Sequence, residues 1–166
     1  EHFQFNDVEI APRPVQSGGV PILIASHGRA QQKNQLTRAA RLGDGLISIS
    51  DTPEEYHRLV LRTKEIVSTL GRDVNQFETA FYMTVNINRD SSRAKSEATT
   101  FLTKYYGSNI WGERWGPFGD PEKIKQRMSE YVEAGAETLI VRFASFDPET
   151  QLDKFLNLVA PCFYKH

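Results

Sequence analysis

Strand, polar turn, helix, glycine stop and strand again: residues 20 to 50 spell out this order, and the rest of the chain repeats it. An apolar run of strand length, Ile22 to Ala25, gives way to Ser26-His27-Gly28. A helical pattern around Asn34 to Leu42 keeps Leu36, Ala39, Ala40 and Leu42 for burial. Gly43 stands at the expected C′ position, and a second apolar run, Leu46 to Ile49, follows at once. That order belongs to a βαβ unit with parallel strands. Strand one, Val20 to Ala25, is almost uniformly apolar, as expected for a strand covered on both faces.

The same grammar continues downstream. Thr52-Pro53-Glu54-Glu55 is a capping box with proline at N1, and Tyr56, Leu59, Val60, Thr63, Ile66, Val67 and Leu70 follow at helical spacing up to Gly71. Strand three spans roughly Glu78 to Ile87. A helix opening at Asp90 or Ser91 carries Ala94, Ala98, Phe101, Leu102 and Tyr105 on one face. Asp120-Pro121-Glu122 opens a helix that buries Ile124, Met128, Tyr131 and Val132 and stops at Gly135. Strand four is Thr138 to Phe143, and Asp147-Pro148-Glu149 opens the last helix, which Pro161 ends. Ahead of all this, residues 1 to 12 alternate as an extended segment or hairpin arm (Phe3, Phe5, Val8, Ile10). Pro12, Pro14 and Gly18-Gly19 then mark an irregular connection.

The fold class this predicts is α/β, with TIM-barrel-type (β/α) units: about four parallel strands with helices, half of a (β/α)8 barrel. Residues 1–166 form one domain, interrupted by an aromatic-rich insertion at 107–119. No glycine-rich GxGxxG turn follows any strand, so a dinucleotide-binding sheet is poorly supported. A half-barrel leaves two strand edges open, at Val20 to Ala25 and Thr138 to Phe143, and is expected to pair with something. Candidates are the other half of the barrel and a second copy of the chain.

Composition narrows the function classes. With 166 residues, 39% of them hydrophobic, the chain can bury a sizeable core; the net charge of −1 argues against nucleic acid as the main partner. No apolar run reaches eighteen residues, so no membrane helix is expected. The single cysteine, Cys162, excludes an internal disulfide framework, metal-ligand spacing is absent, and a cytoplasmic setting is expected. The start, Glu1-His2-Phe3, has no methionine and no signal-peptide pattern. It falls inside a strand-like alternation, so the chain is expected to be a fragment.

Several motifs, taken in order, resemble the C-terminal half of the luciferase-like flavin-dependent monooxygenases. They are Ala11-Pro-Arg-Pro-Val-Gln16 leading into Val20-Pro-Ile-Leu-Ile-Ala25, Arg38-Ala-Ala-Arg-Leu-Gly-Asp-Gly45, Gly119-Asp-Pro-Glu122, and Tyr131-Val-Glu-Ala-Gly135 with Thr138-Leu-Ile-Val141. The resemblance implies a bacterial-luciferase-like (β/α)8 barrel, of which these segments are strands five to eight. It implies reduced FMN as cofactor, or in a sister branch an 8-hydroxy-5-deazaflavin coenzyme, bound at the C-terminal strand ends. With FMN the reaction uses molecular oxygen on a small organic substrate; with the deazaflavin it is hydride transfer. The catalytic residues of the family lie in the N-terminal half, outside this chain, so the isolated chain is expected to be inactive.

The resemblance makes Ala25, Ser26, His27, Gly28 and Arg29 the cofactor-binding residues. Backbone N–H groups near a helix start, a hydroxyl and a guanidinium suit a phosphate. Here Ala30-Gln31-Gln32-Lys33 lengthen the turn and replace the small hydroxyl residue of the family pattern, so an ordinary solvated turn stands beside the cofactor reading. His27 is read either as exposed or as a ligand contact. Ser48, with Ser50, ends strand two and is expected to face the mouth. Trp111 and Trp115 either cover an active site or close the end of the core. Arg142, a charge inside an apolar strand, must face a polar mouth or pair with a carboxylate such as Glu78. Ser48, Trp111, Trp115 and Arg142 make up the expected substrate pocket. Asp44 is expected to tie the helix-to-strand turn, and Arg89 and Asp90 to serve as caps.

Overall fold

The structure, a computed structural model, describes residues 4–9, 11–29, 33–110 and 112–164. Five strands form one parallel sheet. β1 (Leu23–Ala25) pairs with β2 (Gly45–Ile49), β2 with β3 (Glu78–Ile87), and β3 with β5 (Thr138–Phe143); β4 (Phe118–Gly119) pairs with the last two residues of β3. The helices are α1 (Lys33–Leu42), α2 (Pro53–Thr69), α3 (Ser91–Tyr106), α4 (Pro121–Glu133) and α5 (Pro148–Leu158). This is the (β/α) succession that the sequence predicts, with β4 as an addition. No helix among the described residues is long and apolar enough to cross a membrane.

The helix starts follow from local chemistry. The Thr52 hydroxyl accepts the Glu55 N–H while the Glu55 carboxylate accepts the Thr52 N–H at 2.8 Å, a closed capping box. Asp90, Asp120 and Asp147 cap α3, α4 and α5 by accepting the N–H groups of Ser92 and Arg93, Lys123, and Thr150. The Asp147 capping bonds to Thr150 hold that carboxyl below its usual range.

Two faces of the sheet follow from strand parity. Phe81, Met83, Val85 and Ile87 of β3 join Leu139, Val141 and Phe143 of β5 in the main core, under α1, α2, α4 and α5. Its centre is a Phe81–Tyr131 stack with ring centroids 3.7 Å apart and Tyr56 edge-on to both. The opposite, inner face carries Ile47 and Ile49 of β2, Tyr82 and Thr84 of β3, and Ile140 and Arg142 of β5, by register. A second cluster of Ala94, Ala98, Leu102, Trp115, Phe118 and Ala144 packs with Ile49, so α3 and the insertion cap this inner side.

Along β3 the main-chain bonds alternate. Glu78 N–H reaches Asp44 O on the β2 side, while Val85 O accepts Ala144 N–H on the β5 side. Asn88 N–H, even-numbered like Glu78, donates to Gly119 O at 2.8 Å. β4 therefore lies on the β2 side and takes over where β2 turns away.

Three local expectations change. β1 starts at Leu23, not Val20, and no strand occurs within residues 4–9 or 11–12. Alternation there has no partner strand to pair with. Gly43 does not adopt a left-handed conformation; instead a Cβ there would lie 2.8 Å from Gly45 O, so close backbone approach is what requires glycine. Asp44 ties the turn as expected: its carboxylate accepts Ile22 N–H at 2.8 Å, and its own N–H returns to Ile22 O.

Candidate functional site at the strand mouth

The C-terminal ends of the strands gather two groups of side chains. The first lies where the loops after β1 and β2 meet. Ser26 is fully buried, its N–H on Ile47 O at 2.9 Å and its hydroxyl turned toward Ile24 O. His27 is half-buried, with its N–H 3.4 Å from the Gln35 side-chain oxygen. Gly28 N–H donates to the Asp51 carboxylate at 2.8 Å. A Cβ on Gly28 would lie 2.7 Å from Glu55 O, so the loop rests directly on the first turn of α2.

Asp51 organises this corner. It is 2% exposed; one carboxylate oxygen accepts Gly28 N–H and the Ser48 hydroxyl at 2.5 Å, and the other, buried, has no hydrogen-bond partner among the described residues. Its carbonyl accepts the Tyr131 hydroxyl at 2.6 Å. Burial pushes the Tyr131 phenol up to about 12, with the neighbouring Asp51 adding to the rise. Just before it, Ser50 sits at φ 61, a conformation costly for any residue but glycine and one that turns the chain sharply off β2. Ser50 O accepts Arg114 Nε at 3.0 Å, and Glu55 pairs with both Arg114 and Arg29, the latter at 3.7 Å. The insertion is thus pinned to the loop after β2.

The second group lies on the inner face. Arg142 donates to the Tyr106 hydroxyl at 2.6 Å and the Thr84 hydroxyl at 3.0 Å. Its guanidinium carbon lies 5.0–5.7 Å from the ring centroids of Trp115, Tyr106, Tyr82 and Tyr105. Trp115 is 7% exposed and stacks on Tyr106 at 5.3 Å. Burial raises the Tyr82 phenol above its usual range, against the opposing pull of Arg142.

Of the residues anticipated from sequence, Ser26 to Arg29 meet in the first group and Trp115 and Arg142 in the second. Ala25 is the exposed last residue of β1, and Trp111 lies outside the described residues. Ser48 differs from expectation. Parity puts it on the helix-facing side of β2, opposite Phe81, where it is fully buried with its hydroxyl spent on Asp51. The pairing of Arg142 with Glu78 does not form either: Glu78 accepts the Thr138 hydroxyl at 2.7 Å, and Arg142 has no ion pair with any described carboxylate. Sequence reasoning missed Asp51, Glu55 as a pairing group, Arg114, and Tyr82 with Tyr106. Asp51 is hidden beside a capping box, and Arg114 is overshadowed by the tryptophans around it. No group of three His, Cys, Asp or Glu among the described residues could hold a metal.

β1, β2, β3 and β5 pair in parallel in chain order with helices between them, the α/β arrangement of TIM-barrel-type proteins. Residues 1–115 match the family model for luciferase-like monooxygenases, and the chain belongs to that family. It is 27% identical over 171 residues to an F420-dependent glucose-6-phosphate dehydrogenase of Mycobacterium avium (strain 104), a match covering 89% of this chain and 49% of that one. It is 26% identical over 112 residues to the alkanal monooxygenase alpha chain of Photorhabdus luminescens, covering 66% of this chain and 30% of that one. Among solved structures, an F420-dependent secondary alcohol dehydrogenase in complex with an F420-acetone adduct superposes with a TM-score of 0.76 at 16% identity. That match covers 98% of this chain and 54% of the other. The chain spans about half the length, or less, of the relatives it matches.

Proposed function

We propose that the chain supplies the C-terminal half of a luciferase-like oxidoreductase and holds a flavin-type cofactor where the β1 and β2 loops meet. The observation that carries this is the buried Asp51 carboxylate oxygen without a partner, beside Gly28 and the Arg29–Glu55–Arg114 chain. An orphaned buried acceptor calls for a donor, and hydroxyl or ring N–H groups of a flavin-type cofactor are donors. The residues present fit that donor-rich part of the cofactor. Gly28 N–H already serves a carboxylate, so a cofactor phosphate belongs at the outer rim, near exposed Arg29, rather than over Gly28.

In this reading Asp51 orients the cofactor, Arg29 neutralises its anionic end, and the insertion excludes water from the mouth. The cofactor, once bound, supplies the redox chemistry: with reduced FMN and oxygen, oxygenation of a small organic substrate; with a deazaflavin, hydride transfer. The word monooxygenase in the family description supports the oxygen-using reading, for which reduced FMN is the proposed cofactor. The F420 dependence of a relative aligned over 89% of this chain favours the deazaflavin as the second reading. The cellular setting proposed is the cytoplasm.

Titrating the chain with FMN and with F420, followed by fluorescence, tests the site. Binding of either, weakened about tenfold by Asp51→Asn with the melting temperature followed alongside, supports the proposal. No binding of either removes the cofactor seat from this half. Where binding is found, oxygen uptake during turnover by the chain joined with its other barrel half separates the two cofactors.

A further inference from the structure

At the first group, Arg29 and Arg114 share one carboxylate, Glu55. At the foot of the sheet, Arg72 donates to the carbonyls of Ala40 and Gly43 at 2.6 and 2.8 Å. Arg142 is different. Among the described residues it has no carboxylate or carbonyl partner, only the hydroxyls of Tyr106 and Thr84, the nearby Tyr82 phenol and four ring faces, and its buried Nε is left without an acceptor. A partly buried guanidinium with an unused donor lacks both the charge and the acceptor that would offset its desolvation. Ring faces return only part of that, because their attraction is spread over a quadrupole. Tyr105 and Tyr106 are 67% and 47% exposed, so the cage is open on the inner face.

We propose that Arg142 is the seat for an anionic group, a phosphate, sulfonate or carboxylate, on an organic ligand whose ring or apolar part lies along Tyr82, Tyr106 and Trp115. The anion supplies the missing charge, and the rings select a flat or apolar body beside it. Such an anion comes either from the substrate or from the cofactor's own phosphate, and both share this chemistry. The inference rests on the strand mouth being a ligand site, not on a flavin being bound.

The test uses the 166-residue chain and two matched pairs of probes: phenyl phosphate against phenol, and FMN against riboflavin. Tryptophan fluorescence and thermal shift are read with each. At least one anionic member is expected to bind about tenfold tighter than its neutral partner and to raise the melting temperature where the neutral one does not. In Arg142→Gln that preference disappears, whereas Tyr106→Phe keeps it and loses only one hydroxyl contact. Loss confined to the phenyl phosphate pair makes the substrate the source of the anion; loss confined to the FMN pair makes it the cofactor. If wild type shows no preference in either pair, or Arg142→Gln retains it, the anion seat is overturned. Should Arg142→Gln fail to fold, the wild-type comparison and Tyr106→Phe decide alone. Absence of flavin binding with a retained phenyl phosphate preference sinks the cofactor site and leaves this one standing.

Discussion

At the scale of the residue, Gly45 is a tight constraint among the described residues. A Cβ there would lie 2.3 Å from Glu78 O and 2.6 Å from a Leu23 methyl, so β1, β2 and β3 can keep their register only around a hydrogen atom. Gly45→Ala should cost about 3 kcal/mol or more, because backbone rather than a flexible side chain must move; chemical denaturation with unchanged m-value would measure it. Tyr131 makes a second case. Its phenol is fully buried, donates to Asp51 O, and is pushed up to about 12, while an unfolded tyrosine titrates near 10. The sign follows directly: its contribution is complete below pH about 10 and is lost as pH rises toward the folded value, since the unfolded chain gives up the proton first. Tyr56, raised further by burial, acts in the same direction. Stability should therefore fall by roughly 2 kcal/mol through Tyr131 between pH about 10 and 12, with Tyr56 adding in the same direction, and Tyr131→Phe should flatten part of that slope in alkaline melts. Asp44 could be read from sequence because its role is local. Asp51 could not, because a carboxylate becomes buried only when the loop after β1 closes over it.

At the scale of the element, helix starts were legible because their signals are short-range: a hydroxyl or carboxylate, a proline and an acid within four residues fix an N-terminus wherever it occurs. Strand partners were less so. β4 is two residues long, too short for any periodicity, and its place beside β2 emerges only from which side of β3 offers free N–H groups. The facing of Ser48 was lost the same way, since its place at the end of strand two does not say which face its parity gives it. Glu55 is where elements meet: it closes the α2 capping box and, through Arg114, holds the insertion down. Glu55→Gln keeps an oxygen for Thr52 N–H but gives up the charge. The expected result is an α2 start that stays protected in hydrogen exchange while residues 112–119 exchange at least several-fold faster. Equal protection of both segments would show that the ion pair does not tether the insertion.

At the scale of the molecule, what remains exposed argues for a partner. Among the described residues β1 pairs only with β2 and β5 only with β3, so each keeps one row of main-chain donors and acceptors unpaired. The inner face between them mixes apolar side chains such as Ile47 and Ile140 with the Glu78–Thr138 pair. Ile140 there is 36% exposed, and β5 is only part-buried along its length, whereas β3 is buried almost throughout. Two surfaces of this kind close on each other when four further parallel strands arrive, whether from the other half of the family's barrel or from a second copy of the chain. For the chain on its own, only the second copy is at hand. Native mass and sedimentation at rising concentration should therefore show self-association, and Ile140→Lys, which sets a charge on the inner face without touching the core beneath the helices, should shift the chain toward monomer. Protection of β1 and β5 amides should fall in parallel. A chain that stays monomeric at every concentration, with those edges exchanging freely, would mean that α3 and the insertion shield the inner face well enough for the half-barrel to stand alone.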